Sequence, residues 1–164
     1  VRHATSSREV LDELSTYLSG RAAGKDAEAL RILAYIIVRD NHDRSAAPLR
    51  SLLMTASTIY LVDEDYARWP TPCFASTYDY KRRPPYRVVA ERPISAVLAV
   101  ETPANASSEI SLVFEDPHDG KQLDFQTASW DLMCALPMLR DRFARQLGTI
   151  WNEMFSSELR IISA

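Results

Sequence analysis

Glycine is nearly absent from this chain: four in 164 residues, at Gly20, Gly24, Gly120 and Gly148. No Gly-rich segment is available to wrap backbone amides round a phosphate. A GxSxG nucleophile elbow and an HExxH metal pair are missing too. The histidines are only His3, His42 and His118. His42-Asp43 does not have the spacing of a closed metal site. His118 stands in Asp116-Pro117-His118-Asp119-Gly120, where Pro117 fixes φ and Gly120 supplies a left-handed residue, so turn geometry accounts for it. These absences argue against a catalytic centre, a metal site or a bound cofactor.

Cysteine is equally scarce. Cys73 and Cys134 form no CxxC and no disulfide framework. A buried free thiol at Cys134 and a reducing compartment are the simplest expectation. Lysine occurs only at Lys25, Lys81 and Lys121, and the formal net charge is -3. A dedicated nucleic-acid binder carries a basic face, so nucleic acid is set aside as a partner. The stretch Leu30–Val38 falls well short of the roughly 20 apolar residues of a spanning helix. No signal-peptide pattern is present. The chain opens without Met inside a polar stretch, which reads as a domain cut from a longer cytoplasmic protein.

What is present is the composition of one globular domain. Hydrophobic residues make up 46% and charged residues 25%, enough for a core under a polar surface. Residues 1–30 read as an N-terminal helical extension. Ser6 or Ser7 caps a helix whose apolar side is Val10, Leu11, Leu14 and Leu18, ended by Gly20 to Gly24. The run Ile32–Val38 is apolar throughout, so periodicity does not separate strand from helix. Its short length and β-branched content favour a buried strand.

Leu49–Met54 and Thr58–Val62 read as two strands linked at Thr55-Ala56-Ser57. Asp63-Glu64-Asp65 is expected to stop the second as a solvated end. Tyr66–Pro85 is a long irregular piece, interrupted by Pro70, Pro72, Pro84 and Pro85. Strand character resumes at Arg87–Ala90 and Ile94–Val100. Ile110, Leu112 and Phe114 alternate with polar residues, as do Leu123 and Phe125. The period then changes to about 3.6. Leu132, Leu136, Leu139, Phe143, Leu147 and Ile150 form one stripe, capped by Ser129. Pro137 is expected to kink this helix, or to divide a short turn at Trp130–Leu136 from a second segment. The predicted fold class is α+β: about seven antiparallel strands in two nearly orthogonal sheets, capped by a C-terminal helix, with an extra N-terminal helix.

At the residue level, Leu52-Leu53-Met54-Thr55 followed by Ile59-Tyr60-Leu61-Val62-Asp63 resembles the second and third strands of divergent pleckstrin-homology-like (PH-like) modules. Tyr86-Arg87-Val88-Val89-Ala90-Glu91-Arg92-Pro93-Ile94-Ser95-Ala96-Val97 resembles their next strand and its return. Myosin-I tail-homology and nischarin-type modules are the relatives the resemblance points to. It implies a PH-like domain over residues 31–155, with 156–164 as a C-terminal tail. It also implies a noncatalytic interaction module. Arg39-Asp40-Asn41-His42-Asp43-Arg44 departs from phosphoinositide-binding relatives, because acids interleave with the cations of that loop.

Two candidate sites follow, both within Tyr66–Arg87. Trp69, Phe74, Tyr78 and Tyr80 are residue types favoured at the anchoring points of protein interfaces. Trp69 and Phe74 have an alternative role, folding back to seal the barrel edge. Lys81, Arg82, Arg83 and Arg87 form a basic cluster. It suits an acidic protein partner or the headgroups of an anionic phosphoinositide membrane, or else remains a solvated loop. Protein recognition, scaffolding or targeting is the leading functional expectation, with peripheral membrane binding the rival. Trp130 and Trp151 are expected in the core, although Trp151 and Phe155 could instead dock a neighbouring domain.

Overall fold

The computed structural model describes residues 7–21, 30–41, 47–64, 86–104, 107–115 and 127–163. Helix α1 spans Ser7–Arg21. Strands follow at Ala34–Asp40 (β1), Leu49–Met54 (β2), Thr58–Glu64 (β3), Tyr86–Pro93 (β4), Val97–Thr102 (β5), Glu109–Glu115 (β6) and Thr127–Cys134 (β7). Helix α2 is Pro137–Phe155, and a short strand β8 closes the chain at Ile161–Ser163.

The strand order is β4-β3-β2-β1-β7-β6-β5-β8. All neighbours are antiparallel except β5 and β8, which run parallel. Two meanders, β1–β4 and β5–β7, are therefore spliced where β1 meets β7. That splice is only three residue pairs long, Val38–Cys134 to Asp40–Leu132. The segment 156–164, expected as a tail, contributes β8 and the buried Leu159.

The main core lies between the inner faces and α2. Leu52, Met54, Ile59 and Leu61 from the first meander meet Ile110, Leu112, Phe114 and Leu132 from the second, with Phe143, Ala144 and Leu147 of α2 over them. Phe114 and Trp130 meet at a tilt of 57°, with ring centroids 4.7 Å apart. Their alternate neighbours form a second cluster on the outer face of β1–β4. Leu53, Tyr60, Val62 and Tyr86 are covered there by Leu14 and Leu18 of α1. β2 and β3 are thus buried on both faces, which explains their near-continuous apolar runs. The N-terminal helix packs on the sheet, joined by Tyr86 Oη donating to Glu13 at 2.7 Å and Val88 N–H donating to Tyr17 Oη at 3.4 Å.

The helix beginning differs from the sequence expectation. Trp130, Leu132 and Cys134 belong to β7, with Leu132 and Cys134 buried in the main core. Pro137 is at the first turn of α2, where its missing N–H would have had no helical partner. No kink is needed. Leu136 is the N-cap and is exposed, so the buried stripe starts only in the second turn, at Arg140 and Phe143. Cys134 is a buried free thiol, as expected. Burial pushes it up to about 11, with Asp141 adding to the rise and Arg140 opposing it.

Candidate functional site

Chain direction sorts the strand ends. β1, β3 and β6 run one way; β2, β4 and β7 return. Asp40, Leu49, Glu64, Tyr86, Glu115 and Thr127 therefore share one end of the sheet. α2 sits at the other. Its Gln146 Nε2 donates to Leu33 O, just before β1, and its buried Arg140 donates to Pro103 O and Ser107 O between β5 and β6. The first end is the mouth of the module.

At the mouth, Asp63 joins two arginines. Arg50 Nη1 donates to Asp63 Oδ1 at 3.0 Å, and Arg87 Nη2 donates to Asp63 Oδ2 at 3.1 Å. Arg50 is mostly buried, while the Arg87 side chain is 66% exposed. Arg87 is thus the one residue of the expected basic cluster that is described, and it already holds a carboxylate. Lys81, Arg82 and Arg83 lie outside the described residues. So do Trp69, Phe74, Tyr78 and Tyr80, together with His3, His42, His118 and Cys73.

Glu64, read from sequence as part of a solvated strand end, is in β3 and buried. Ser51 Oγ donates to its Oε1 at 2.5 Å, and the Tyr35 hydroxyl is a second partner. Burial drives the Glu64 carboxyl above its ordinary range, against the lowering effect of those two hydrogen bonds. Burial and then the charge of Glu64 push Tyr35 up to about 12. Sequence reading missed this group because its partners, Tyr35 and Ser51, come from two other strands.

A cleft of about 590 Å³ opens along β5, β6, β7 and β8 and reaches Asn41 and Ala47 beside β1. Its lining includes Glu101, Glu109 and Asp131, with Ile162 and Pro103 giving apolar surface. The three carboxylates alternate with buried Thr102, Ile110 and Leu132, so they stand on the solvent side. Ser111 Oγ donates to Asp131 Oδ1. No lysine or arginine lines the cleft among the described residues. Its parts come from five separated segments, so no local motif announced it. Among the described residues no group of three or more His, Cys, Asp or Glu could hold a metal ion. No helix there is long and apolar enough to cross a membrane.

Seven antiparallel strands in two spliced meanders, closed at one end by the helix that follows them, define a PH-like module. The comparison with known families agrees. The chain belongs to the family described as "Nischarin, C-terminal PH domain", whose model matches residues 29–129. That span ends within β7, so α2 lies beyond the matched region. No curated protein matches the sequence. Among solved structures, the hSac2 domain from human phosphoinositide phosphatase Sac2 is similar, with a TM-score of 0.58 and 11% identity. The match covers 99% of this chain and 92% of that one. At that identity the likeness speaks for fold alone.

Proposed function

We propose that this chain is a noncatalytic PH-like interaction module of a larger cytoplasmic protein, recognising a protein partner in a scaffolding or targeting role. The observation that carries the reading is the charge pattern. The large cleft presents Glu101, Glu109 and Asp131, while Arg87 at the mouth is engaged by Asp63. Such a surface favours a basic peptide segment over an anionic one, because like charges facing each other oppose association. Trp69, Phe74, Tyr78 and Tyr80 are proposed as additional anchors for the partner. The test is a pull-down with Trp69→Ser and Phe74→Ser against the parent chain. Partner loss with the fold retained supports the reading; unchanged recovery counts against it.

A second reading has one observation in its favour. Arg50 of β2 and Arg87 of β4 converge on Asp63 at the mouth, and β4 is the strand that follows Lys81, Arg82 and Arg83 in sequence. A peripheral membrane module would use these cations on phosphoinositide headgroups, each adding at most about 1 kcal/mol near an anionic surface. Sedimentation with phosphoinositide vesicles at low salt, where screening is weakest, tests it. Vesicles that leave the protein in the supernatant would exclude this reading.

A further inference from the structure

The strand β8 is held on the sheet as a bound peptide would be. α2 ends at Ser156, whose φ of 51° is left-handed, a conformation disfavoured for an L residue. The chain turns there and lays Ile161–Ser163 along β5 in parallel, over three residue pairs: Val100–Ile161, Glu101–Ile162 and Thr102–Ser163. Parallel pairing is slightly the weaker kind per residue. Val100 N–H donates to Arg160 O at 2.9 Å, and the Thr102 and Ser163 hydroxyls lie 3.3 Å apart. Of residues 157–163 only Leu159 is buried, and it enters the main core; Ile161 and Ser163 are exposed.

We propose that the free side of β5 is a strand-accepting site: β8 occupies it in this chain, and an extended partner segment replaces β8, with leucine in the place of Leu159 and lysine or arginine in the place of Ile162.

The proposal rests on the reading of the cleft as a surface for a basic protein segment, and says how that segment seats. Ile162 lines the cleft beside Glu101, its partner in register. Neighbouring strands lie about 5 Å apart, so two such side chains on one face are in contact. Isoleucine there gives Glu101 no counter-charge, and among the described residues no lysine or arginine pairs with it. Ser111 and Asp131 continue the same row across β6 and β7. A cation in the place of Ile162 therefore faces Glu101 directly, at the edge of an acidic face. The socket of Leu159 supplies the apolar part of the grip, and the outward Val100 N–H supplies a backbone donor. The opposite edge of the sheet is less suited to a strand. β4 there is irregular opposite Leu61 and Val62 and ends in Pro93, which has no N–H to donate.

The experiment follows the Val100 amide by hydrogen exchange in the full chain and in Leu159→Asp, which withdraws the anchor of β8. The probe is the labelled peptide Ser-Ser-Glu-Leu-Arg-Ile-Lys-Ser, the sequence of 156–163 with lysine in the place of Ile162. Val100 should be protected in the parent chain. It should lose protection in Leu159→Asp, while β6 and β7 keep theirs, and regain it when the peptide is added. By fluorescence polarisation the peptide should bind Leu159→Asp at least about tenfold more tightly than the parent, whose tethered β8 competes. Glutamate in place of the peptide's lysine should weaken binding roughly fivefold, as a cross-strand charge pair would. Leu159→Ala, a milder change, should move both readouts in the same direction and replaces Leu159→Asp if that chain does not fold. Peptide binding that leaves Val100 unprotected would overturn strand replacement while the basic-segment reading stands. A variant with Val100 unprotected and no affinity for the peptide would overturn it as well. A parent chain that dimerises as concentration rises, with the peptide unable to reverse it, would make a second copy the occupant and also overturn it.

Discussion

Tyr86 donates its hydroxyl to Glu13 at 2.7 Å, tying the first helix to the first residue of the strand that leaves the long connection. The pair stands where α1 meets the mouth. Replacing Tyr86 by Phe keeps the ring against Tyr17, whose centroid lies 5.7 Å away, and removes the hydroxyl that donates to Glu13. A loss of about 1 kcal/mol in urea unfolding is expected. Exchange protection should drop in α1 and hold in β6 and β7.

Pro137→Ala distinguishes a helix that begins at Pro137 from one that is kinked there. At the first helical position proline is well tolerated, so the substitution should change stability by less than about 1 kcal/mol. A proline inside the helix would instead release about 3 kcal/mol when replaced. Thermal unfolding of the two chains reads the difference.

This end of the chain shows where sequence reading stopped. Leu132 fits both the inward side of a strand, with Trp130 and Cys134, and the stripe of a helix continuing to Leu139 and Phe143. The two periods share that position, and only pairing with Asp40 and Ile110 decides between them. By contrast, Leu49–Met54 was legible in full, and Thr58–Glu64 except for its last two residues, Asp63 and Glu64. Their apolar runs are local and the Thr55-Ala56-Ser57 turn is too, with the Thr55 hydroxyl donating to Thr58 O at 3.1 Å. The PH-like fold could therefore be read from strand order. The cleft could not, because Asn41, Glu101, Glu109, Asp131 and Ile162 meet only through long-range pairing. Glu64 looked like a strand stop because Asp63-Glu64-Asp65 gives no local sign that its middle acid is buried against Ser51 and Tyr35.

Glu64 also sets a stability–pH signature. Its folded carboxyl titrates above the unfolded one, from which the favourable contribution is complete at pH below the unfolded value. That contribution is lost as pH rises through the folded value. Stability of the parent chain, relative to Glu64→Gln, should therefore decline from acid towards neutral pH. Urea unfolding in parallel across that range checks the sign; a relative rise towards neutral pH would refute it.

Asp63→Asn frees the charges of Arg50 and Arg87 from their shared carboxylate. The mouth then gains one positive charge in net terms. Sedimentation with anionic vesicles should increase, and the gain should vanish as salt is raised. A gain that survives high salt would point to a contact other than charge.

The central claim is tested most directly by titrating the full chain with a fluorescently labelled arginine-rich peptide at low salt and following its polarisation. Saturable binding is predicted, weakened severalfold by Glu101→Gln with Glu109→Gln and unaffected by Asp63→Asn. Failure of the peptide to bind, with anionic vesicles sedimenting the same protein, would contradict the account.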